Sequence, residues 1–424
     1  MNVASKPRIA IVTMGVKLGD ETRGYTRFRK IAEVLVRAGF DVDLYTSSFQ
    51  HWEKAARDTT KSCYMGLPYR IVFIDEPGYT RNLDLARIIS HAIAAKNLRG
   101  LFDSEFALNE SAYQLIYSEI PPNDVARVCA EVATEHGIPY VADINDLWPE
   151  AMRMVVDVPI VSDIAFKPFA DDAHAVYNQL AAAVGTSDEY AARPGFDRIR
   201  PYKHITVYVG NDLAVFDAGA AEHADEVVKP SGEFWVTYTG TLGASYDIAT
   251  LIRASCAANE QLARLTSELG RPLDLRVKIL GDGPDREKLE ALARELSAPV
   301  DFLGYTPYEL MAAYLVNSDA TINSLVKSAP QSIVTKIGDY LAAGIPLINT
   351  GSSPEFRAKV EADGFGINID AEDADELAAT MVALALSPAE RDVMGARARM
   401  IAEEQFDQDS SYQAIVDLIR SLTA

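Results

Sequence analysis

The sequence predicts an α/β protein made of two doubly wound domains. Three observations carry this expectation. The chain has 424 residues, more than one usual hydrophobic core accommodates. Its opening reads strand, glycine-bearing loop, helix, strand, which is the start of a β-α-β wind. The same strand-loop-helix pattern restarts with FWVTYTGTLGASYDIATLIRAS, beginning at Phe234.

Composition narrows the class. Apolar residues make up 48% of the chain, with ordinary numbers of glycine and proline, so a globular protein is expected. The formal net charge is −21, from 40 basic and 61 acidic side chains. A general nucleic-acid binder would be basic, so no nucleic-acid partner is expected. An anionic membrane would repel the chain as a whole, leaving a local basic patch as the means of peripheral contact. Cys63, Cys129 and Cys256 are widely spaced and form no CxxC, which suits a reducing compartment. The N-terminus enters an apolar strand without a signal-peptide pattern, and no run approaches 18 uncharged apolar residues, so a cytoplasmic protein is expected. The six histidines are scattered without ligand spacing, so no metal is expected.

In chain order, RIAIVT (8–13) is a buried-strand run, followed by the loop MGVKLGDETRGYTR, a helix, and the strand DVDLYTS. The spacing of Gly15, Gly19 and Gly24 is not GxGxxG. Arg23, Arg27, Arg29 and Lys30 form a basic cluster that suits a lipid pyrophosphate or membrane headgroups, or equally a solvated face. The stretch 50–112 yields a strand at YRIVFI and an amphipathic helix pattern, and little else. AYQLIYS is a strand whose end carries Glu119, and IPYVADI is a strand running into DINDLWPE (143–150). Polar residues at the carboxyl ends of strands in open sheets face the ligand crevice, which makes Glu119, Asp143, Asn145 and Asp146 candidates. In the other reading, Asp146 and Trp148 brace the next helix. Residues 211–232 lack periodicity and read as a linker between domains at 1–210 and 233–408, with a last helix in 409–424.

The second half turns on APQSIVTKIGDYLAAGIPLINT (329–350), read as loop, short helix, tight stop and buried strand. Ser332 or Thr335 caps the helix, Gly344 takes the left-handed position after it, and Pro346 blocks continuation. Lys336, Asp339 and Tyr340 share one helix face. A cation at a helix start suits an anion, and an acid one turn later suits sugar hydroxyls. An ordinary solvated pair is the alternative.

SIVTKIGDYLAAGIPLI resembles the donor-site helix of family 4 glycosyltransferases of the GT-B fold. DINDLWPE resembles the matching segment of those acting on capsule, O-antigen or exopolysaccharide. The ordered series GTLG, GDGP, LGY and TKIGDYLAAG extends the resemblance, which covers nearly the whole chain and is weakest over 50–112. It implies two Rossmann-like domains facing across a cleft. In that resemblance the donor is bound by Gly240, Thr241, Leu242, Gly243, Gly281, Asp282 and Gly283, by Tyr305 at the base, by Ser332, Ile333 and Thr335, and by Asp339 at the ribose. Lys336 stabilises the leaving diphosphate. Gln331 stands where the family has the first Glu of its motif, and it can hydrogen-bond hydroxyls but carries no charge. Asp143 and Asp146 are the other catalytic candidates, with Gly24, Arg27, Glu119 and Asn145 in the acceptor or phosphate loops. Thr241, and Ser245 or Tyr246, occupy places where many relatives have cations. The implied activity is retaining, metal-free transfer of a hexosyl or N-acetylhexosaminyl group from a nucleotide sugar, with a UDP-sugar first. The implied acceptor is a saccharide, free or linked to polyprenyl pyrophosphate, in surface polysaccharide synthesis at the inner face of the membrane. A non-catalytic partner subunit and a nucleotide-sugar isomerase are the rival functions on this fold.

Overall fold

The structure is a computed structural model that describes residues 6–19, 21, 24–81, 84–153, 159–197, 201–268, 270, 273–329 and 333–424. The chain divides into two compact units, one comprising residues up to Tyr208 together with Ser411–Ala424, the other Val209–Ser410.

The first unit is a parallel sheet of β1 (Arg8–Thr13), β2 (Asp41–Ser47), β3 (Arg70–Ile74), β4 (Leu115–Ile120), β5 (Tyr140–Ile144), β6 (Ala182–Gly185) and β7 (Lys203–Thr206). The spatial order is β3-β2-β1-β4-β5-β6-β7. Ile9 pairs with both Val42 and Leu115, so β1 lies between β2 and β4. Both faces of β1 are buried, which is why RIAIVT reads as a continuous apolar run and not as an alternation. One face packs Val12, Ile116, Ala130 and Val176. The other packs Ile11, Phe28 and Leu44 with Ile415, Val416 and Ile419 of the C-terminal helix Gln413–Thr423. The chain order reverses between β1 and β4, and the crevice for ligands in such sheets lies beyond the strand ends at that reversal.

The second unit repeats the wind with β8 (Glu233–Thr239), β9 (Asp274–Leu280), β10 (Val300–Gly304), β11 (Ala320–Asn323), β12 (Leu347–Asn349) and β13 (Gly366–Asn368). The order is β10-β9-β8-β11-β12-β13, all parallel, with the reversal between β8 and β11. Its core joins these strands to Leu251, Ile252 and Ala258 of helix Ile248–Glu268 and to Leu377 and Met381 of helix Ala374–Leu386.

The expected linker 211–232 needs correction, because it contains helix Leu213–Glu222 within the second unit. Asp212 caps that helix, its Oδ1 accepting from the Val215 N–H at 3.2 Å. A Cβ on Gly219 would stand 2.7 Å from Glu309 Cα, so the helix packs almost backbone to backbone on helix Tyr308–Val316. Contact through Gly and Ala leaves only Leu213 and Phe216 as large buried apolar residues. The apolar stripe that marks a helix in sequence is therefore missing. Among the described residues no helix is long and apolar enough to cross a membrane.

Candidate functional site

In the second unit, three strands end side by side on glycine. The Gly240 N–H donates to Leu280 O at 2.8 Å, and the Gly281 N–H donates to Gly304 O at 2.7 Å. These glycines have φ of +133°, +145° and +74°. A Cβ on Gly281 would lie 1.8 Å from Gly240 O, so no side chain fits between the two turns. The Leu242 N–H donates to Asp282 O at 3.0 Å, and the Asp285 N–H donates to Leu242 O at 3.1 Å. A Cβ on Gly283 would meet Leu242 O at 2.2 Å. The GTLG and GDGP motifs are thus one interlocked loop pair at the carboxyl ends of β8 and β9. The Leu242 side chain belongs to the core, while Thr241, Asp282 and Tyr305 are exposed. Asp282 Oδ1 accepts from the Gly283 N–H at 2.8 Å, and Arg286 approaches its carboxylate at 3.6 Å. No atom outside its chain neighbours comes nearer than 3.7 Å to a Cβ on Gly243.

Tyr340 pins helix Ile337–Ala342 to the end of β8: its Oη accepts from the Thr239 N–H at 2.8 Å and donates to Thr239 O at 3.2 Å. The helix ends as expected, with Gly344 at φ +66°. It starts differently. Lys336 itself is the N-cap residue without a side-chain cap, Thr335 is exposed, Ile333 is half-buried, and Gln331 and Ser332 lie outside the described residues. Only six residues long, the helix has a weak dipole, and the charge rests on the lysine side chain.

Lys336 Nζ is buried and, among the described residues, has no hydrogen-bond partner. It lies 4.1 Å from the ring centroids of both Tyr238 and Tyr246. It is also 2.8 Å from where a Cβ on Gly240 would be. Gly240 is therefore glycine partly because the amine occupies that space. Burial drives the Lys336 pKa well below the ordinary lysine value. An unpaired buried amine is unfavourable in a closed structure, and in a ligand-binding loop it marks the place of an anion.

Asp339 shares the face of Lys336 but turns inward. Its Oδ1 accepts from Tyr308 Oη at 2.7 Å and from Asn211 Nδ2 at 2.9 Å. Burial raises its carboxyl to about 6, against the pull of those two hydrogen bonds. Asn211 in turn donates its N–H to Phe406 O and accepts from the Gln408 N–H, each at 2.9 Å. Asp339 thus anchors the first segment of the unit to its last. Gly338 makes the anchor possible, since a Cβ there would stand 3.2 Å from the Gly210 carbonyl carbon. Sequence reading missed Asn211 and Tyr308 as partners, because 128 and 31 positions separate them from Asp339.

In the first unit two expected residues leave the site. Arg27 is 1% exposed and Asp143 0%. Arg27 donates Nε to Asp143 Oδ2 at 2.9 Å, Nη2 to Oδ1 at 3.1 Å, and Nη1 to Val207 O and Tyr208 O at 3.0 Å. Tyr117 Oη donates to Asp143 at 2.5 Å. The pair ties helix Arg27–Arg37 to the ends of β5 and β7 and offers nothing to a ligand. Its 116-residue separation hid it from the sequence reading. Asn145 Nδ2 donates to Asp143 O at 3.0 Å. Asp146 also turns to its own loop, Oδ1 accepting from the Leu147 N–H at 2.9 Å and Oδ2 from Trp148 Nε1 at 3.1 Å. This is the bracing alternative. Gly24, at φ +126°, makes room for Trp52, whose ring a Cβ would meet at 2.8 Å. Arg23 lies outside the described residues. Glu119 does stand at the reversal point, with Oε2 accepting from Thr13 Oγ1 at 2.6 Å and the Met14 N–H at 3.0 Å. Burial lifts its carboxyl to about 7, opposed by those hydrogen bonds.

Among the described residues no group of three or more His, Cys, Asp or Glu could hold a metal ion. A cavity of about 650 Å³ opens at the far end of helix Ile337–Ala342, beside Ala342, Gly344 and Arg399. It is lined mainly by small residues, and Arg399 is already paired with Asp217 and Glu403.

Residues 236–386 match the family model described as Glycosyl transferases group 1. A search of curated proteins returns no match. Among solved structures, sucrose-phosphate synthase from Thermosynechococcus elongatus is similar over 98% of this chain and 99% of its own, with 18% identity and a TM-score of 0.68. The Anabaena HepE protein in complex with UDP-glucose matches over 98% and 100%, with 15% identity and a TM-score of 0.66. A UDP-forming trehalose-phosphate synthase from Burkholderia vietnamiensis matches over 99% and 98%, with 14% identity and a TM-score of 0.65. The chain has the two-domain, Rossmann-like GT-B fold. Its second unit carries the stretch that matches the glycosyl transferases group 1 model.

Proposed function

We propose that the protein is a glycosyltransferase that moves a sugar from a nucleotide-sugar donor to a saccharide acceptor. The observation that carries this reading is the buried, unpartnered Lys336 Nζ beside Gly240, inside the stretch matched by the glycosyl transferases group 1 model. When the bond from the sugar C1 to the diphosphate oxygen breaks, negative charge develops on the leaving phosphate. A cation held in a water-poor site stabilises that charge more than one in open solvent. Lys336 takes this role, and the glycine turns at 240–243 and 281–283 let backbone N–H groups approach the phosphates. In the resemblance, Thr241, and Ser245 or Tyr246, occupy places where many relatives have cations, so Lys336 carries more of the charge here.

The finer reading extends the resemblance in the sequence. The acceptor hydroxyl attacks from the face the diphosphate leaves, the departing phosphate takes the hydroxyl proton, and the anomeric configuration is retained without a metal. The Anabaena protein is described in complex with UDP-glucose, which makes a uridine nucleotide the first donor to try. A hexosyl or N-acetylhexosaminyl group passes to a free or lipid-linked saccharide in surface polysaccharide synthesis, on the cytoplasmic side of the membrane.

The test is a panel of UDP-, GDP- and ADP-sugars incubated with saccharide acceptors, followed for released nucleoside diphosphate and glycosylated product. Acceptor-dependent release, lost in Lys336→Met, supports the proposal. Nucleotide binding without turnover points to a non-catalytic subunit. A new sugar epimer without transfer points to an isomerase.

A further inference from the structure

We propose that the outer face of helix Leu85–Leu108 docks the first unit onto a lipid bilayer that contains anionic lipid. The docking stands apart from the glycosyl-transfer reading, whereas its use, bringing the protein to a lipid-linked acceptor, rests on that reading.

This helix is apolar on two sides. Its inner face buries Ala94, Leu98, Phe102 and Phe106 in the core of the first unit. Two hydrogen bonds hold that side to the segment after β3. Ser90 Oγ accepts from the Gly78 N–H at 2.8 Å, and Asn97 Nδ2 donates to Asp75 O at 2.7 Å. The opposite face carries Leu85, Ile88, Ile89 and Ile93, which are 75%, 44%, 58% and 36% exposed. With the exposed Ala92 they fall at i, i+3, i+4, i+7 and i+8, so they form one stripe. A helix apolar on both sides belongs inside a core or against lipid, and here only one side has a core. Single exposed apolar side chains are ordinary, but four large ones on one face mark an interaction surface. The stripe occupies the half of the helix next to the carboxyl end of β3, the side on which open sheets bind ligands.

Charge identifies the partner. From Leu85 to Phe102 the helix has three basic residues and no acidic one, in a chain with 61 acidic and 40 basic side chains. Arg99 is paired with Asp103 and Glu135. Arg81, before the helix, and Lys96, just beyond the stripe, are exposed and form no ion pair among the described residues. Asp84, the acid at the helix start, is turned to the backbone, where it accepts from the Ala86 N–H at 3.2 Å. A convex apolar stripe with a cation beyond each end fits an anionic bilayer surface. The aliphatic side chains enter the headgroup boundary, and the cations meet lipid phosphates. A second copy of the chain fits poorly, because a twofold contact sets the same cations against each other. Of the basic cluster that the sequence offers for this task, Arg27 and Lys30 are buried, and Arg29 Nε lies 3.6 Å from Glu33.

The experiment mixes the full chain with vesicles of phosphatidylcholine alone, or of equimolar phosphatidylglycerol and phosphatidylcholine, and reads bound protein by co-sedimentation. Binding to the anionic vesicles is expected, with little to the neutral ones, and added salt should weaken it. The double variant Leu85→Ser, Ile89→Ser is expected to lower the partition coefficient about tenfold or more. Arg81→Gln and Lys96→Gln should each lower it about fivefold. These are surface changes, so melting temperatures should match wild type. No binding to anionic vesicles overturns the proposal. So does equal binding to both vesicle types, or an unchanged partition coefficient in the double variant. Light scattering covers the other occupant: self-association that the double variant abolishes, without vesicle binding, assigns the stripe to an interface between copies and overturns the proposal. Nucleoside diphosphate release with a soluble acceptor, in the absence of vesicles, tests the transfer reading separately. Transfer without vesicle binding sinks this proposal alone, and vesicle binding without transfer sinks the transfer reading alone.

Discussion

Each unit buries a cation, and the two are treated in opposite ways. Arg27 in the first unit is matched by a carboxylate and by backbone carbonyls, all from its own unit. Lys336 in the second lies beside two tyrosine rings and a glycine, with no acceptor for its protons among the described residues. Burial alone therefore says nothing about function. The useful question is whether the buried charge has its partners within the chain. Where it has, the residue is structural; where it has none, the partner is a ligand.

The strongest attempt to break this contrast is Arg27→Met or Asp143→Asn. Either leaves the other group buried without its counter-charge, and unfolding in urea should show a loss of about 3–5 kcal/mol. A variant as stable as wild type would mean that the pair is not structural. The next effect falls on binding. Lys336→Met removes an amine that is unfavourable where it sits, so its melting temperature should equal or exceed wild type while UDP affinity drops about ten- to hundredfold. The pH dependence has a defined sign. The lysine pKa is depressed in the free protein, and a bound diphosphate raises it. Binding should therefore take up a proton, and affinity should fall as pH rises. Calorimetry in buffers of different ionisation enthalpy reads the uptake, and Lys336→Met should lose it.

Glu119 lies between the extremes, a buried carboxyl held by neutral donors. Its folded pKa is raised, so its contribution to stability is full below the unfolded value of 4.5 and is lost as pH rises through about 7. Glu119→Gln should remove that slope, a difference of about 3 kcal/mol between the ends of the window. Identical slopes for wild type and variant would show that the niche is more solvated than the structure indicates.

Much of the donor-side reading rested on local pattern. The glycine turns, the helix of Lys336 and its stop at Gly344 are short-range features, set by φ preferences and by residue spacing within a turn. The first unit was harder to read. Asp143 and Arg27 looked like ligand groups because each sits where a ligand group could sit, at a strand end or a helix start. Their mutual hydrogen bonds span 116 positions and leave no periodic trace. The linker misreading has the same origin, since a helix packed through Gly219 has no apolar stripe to display.

Local residue patterns are enough to reveal the two parallel winds and the glycine loops, because buried strands and positive-φ turns restrict residue type one position at a time. Which polar residues remain available depends on how distant segments pack. Hydrogen-bond partners are chosen in three dimensions, and a charged side chain is free for a ligand only when no distant segment has already satisfied it. That is why Arg27 and Asp143 became structure, why Asp339 became an anchor, and why Lys336 was left open.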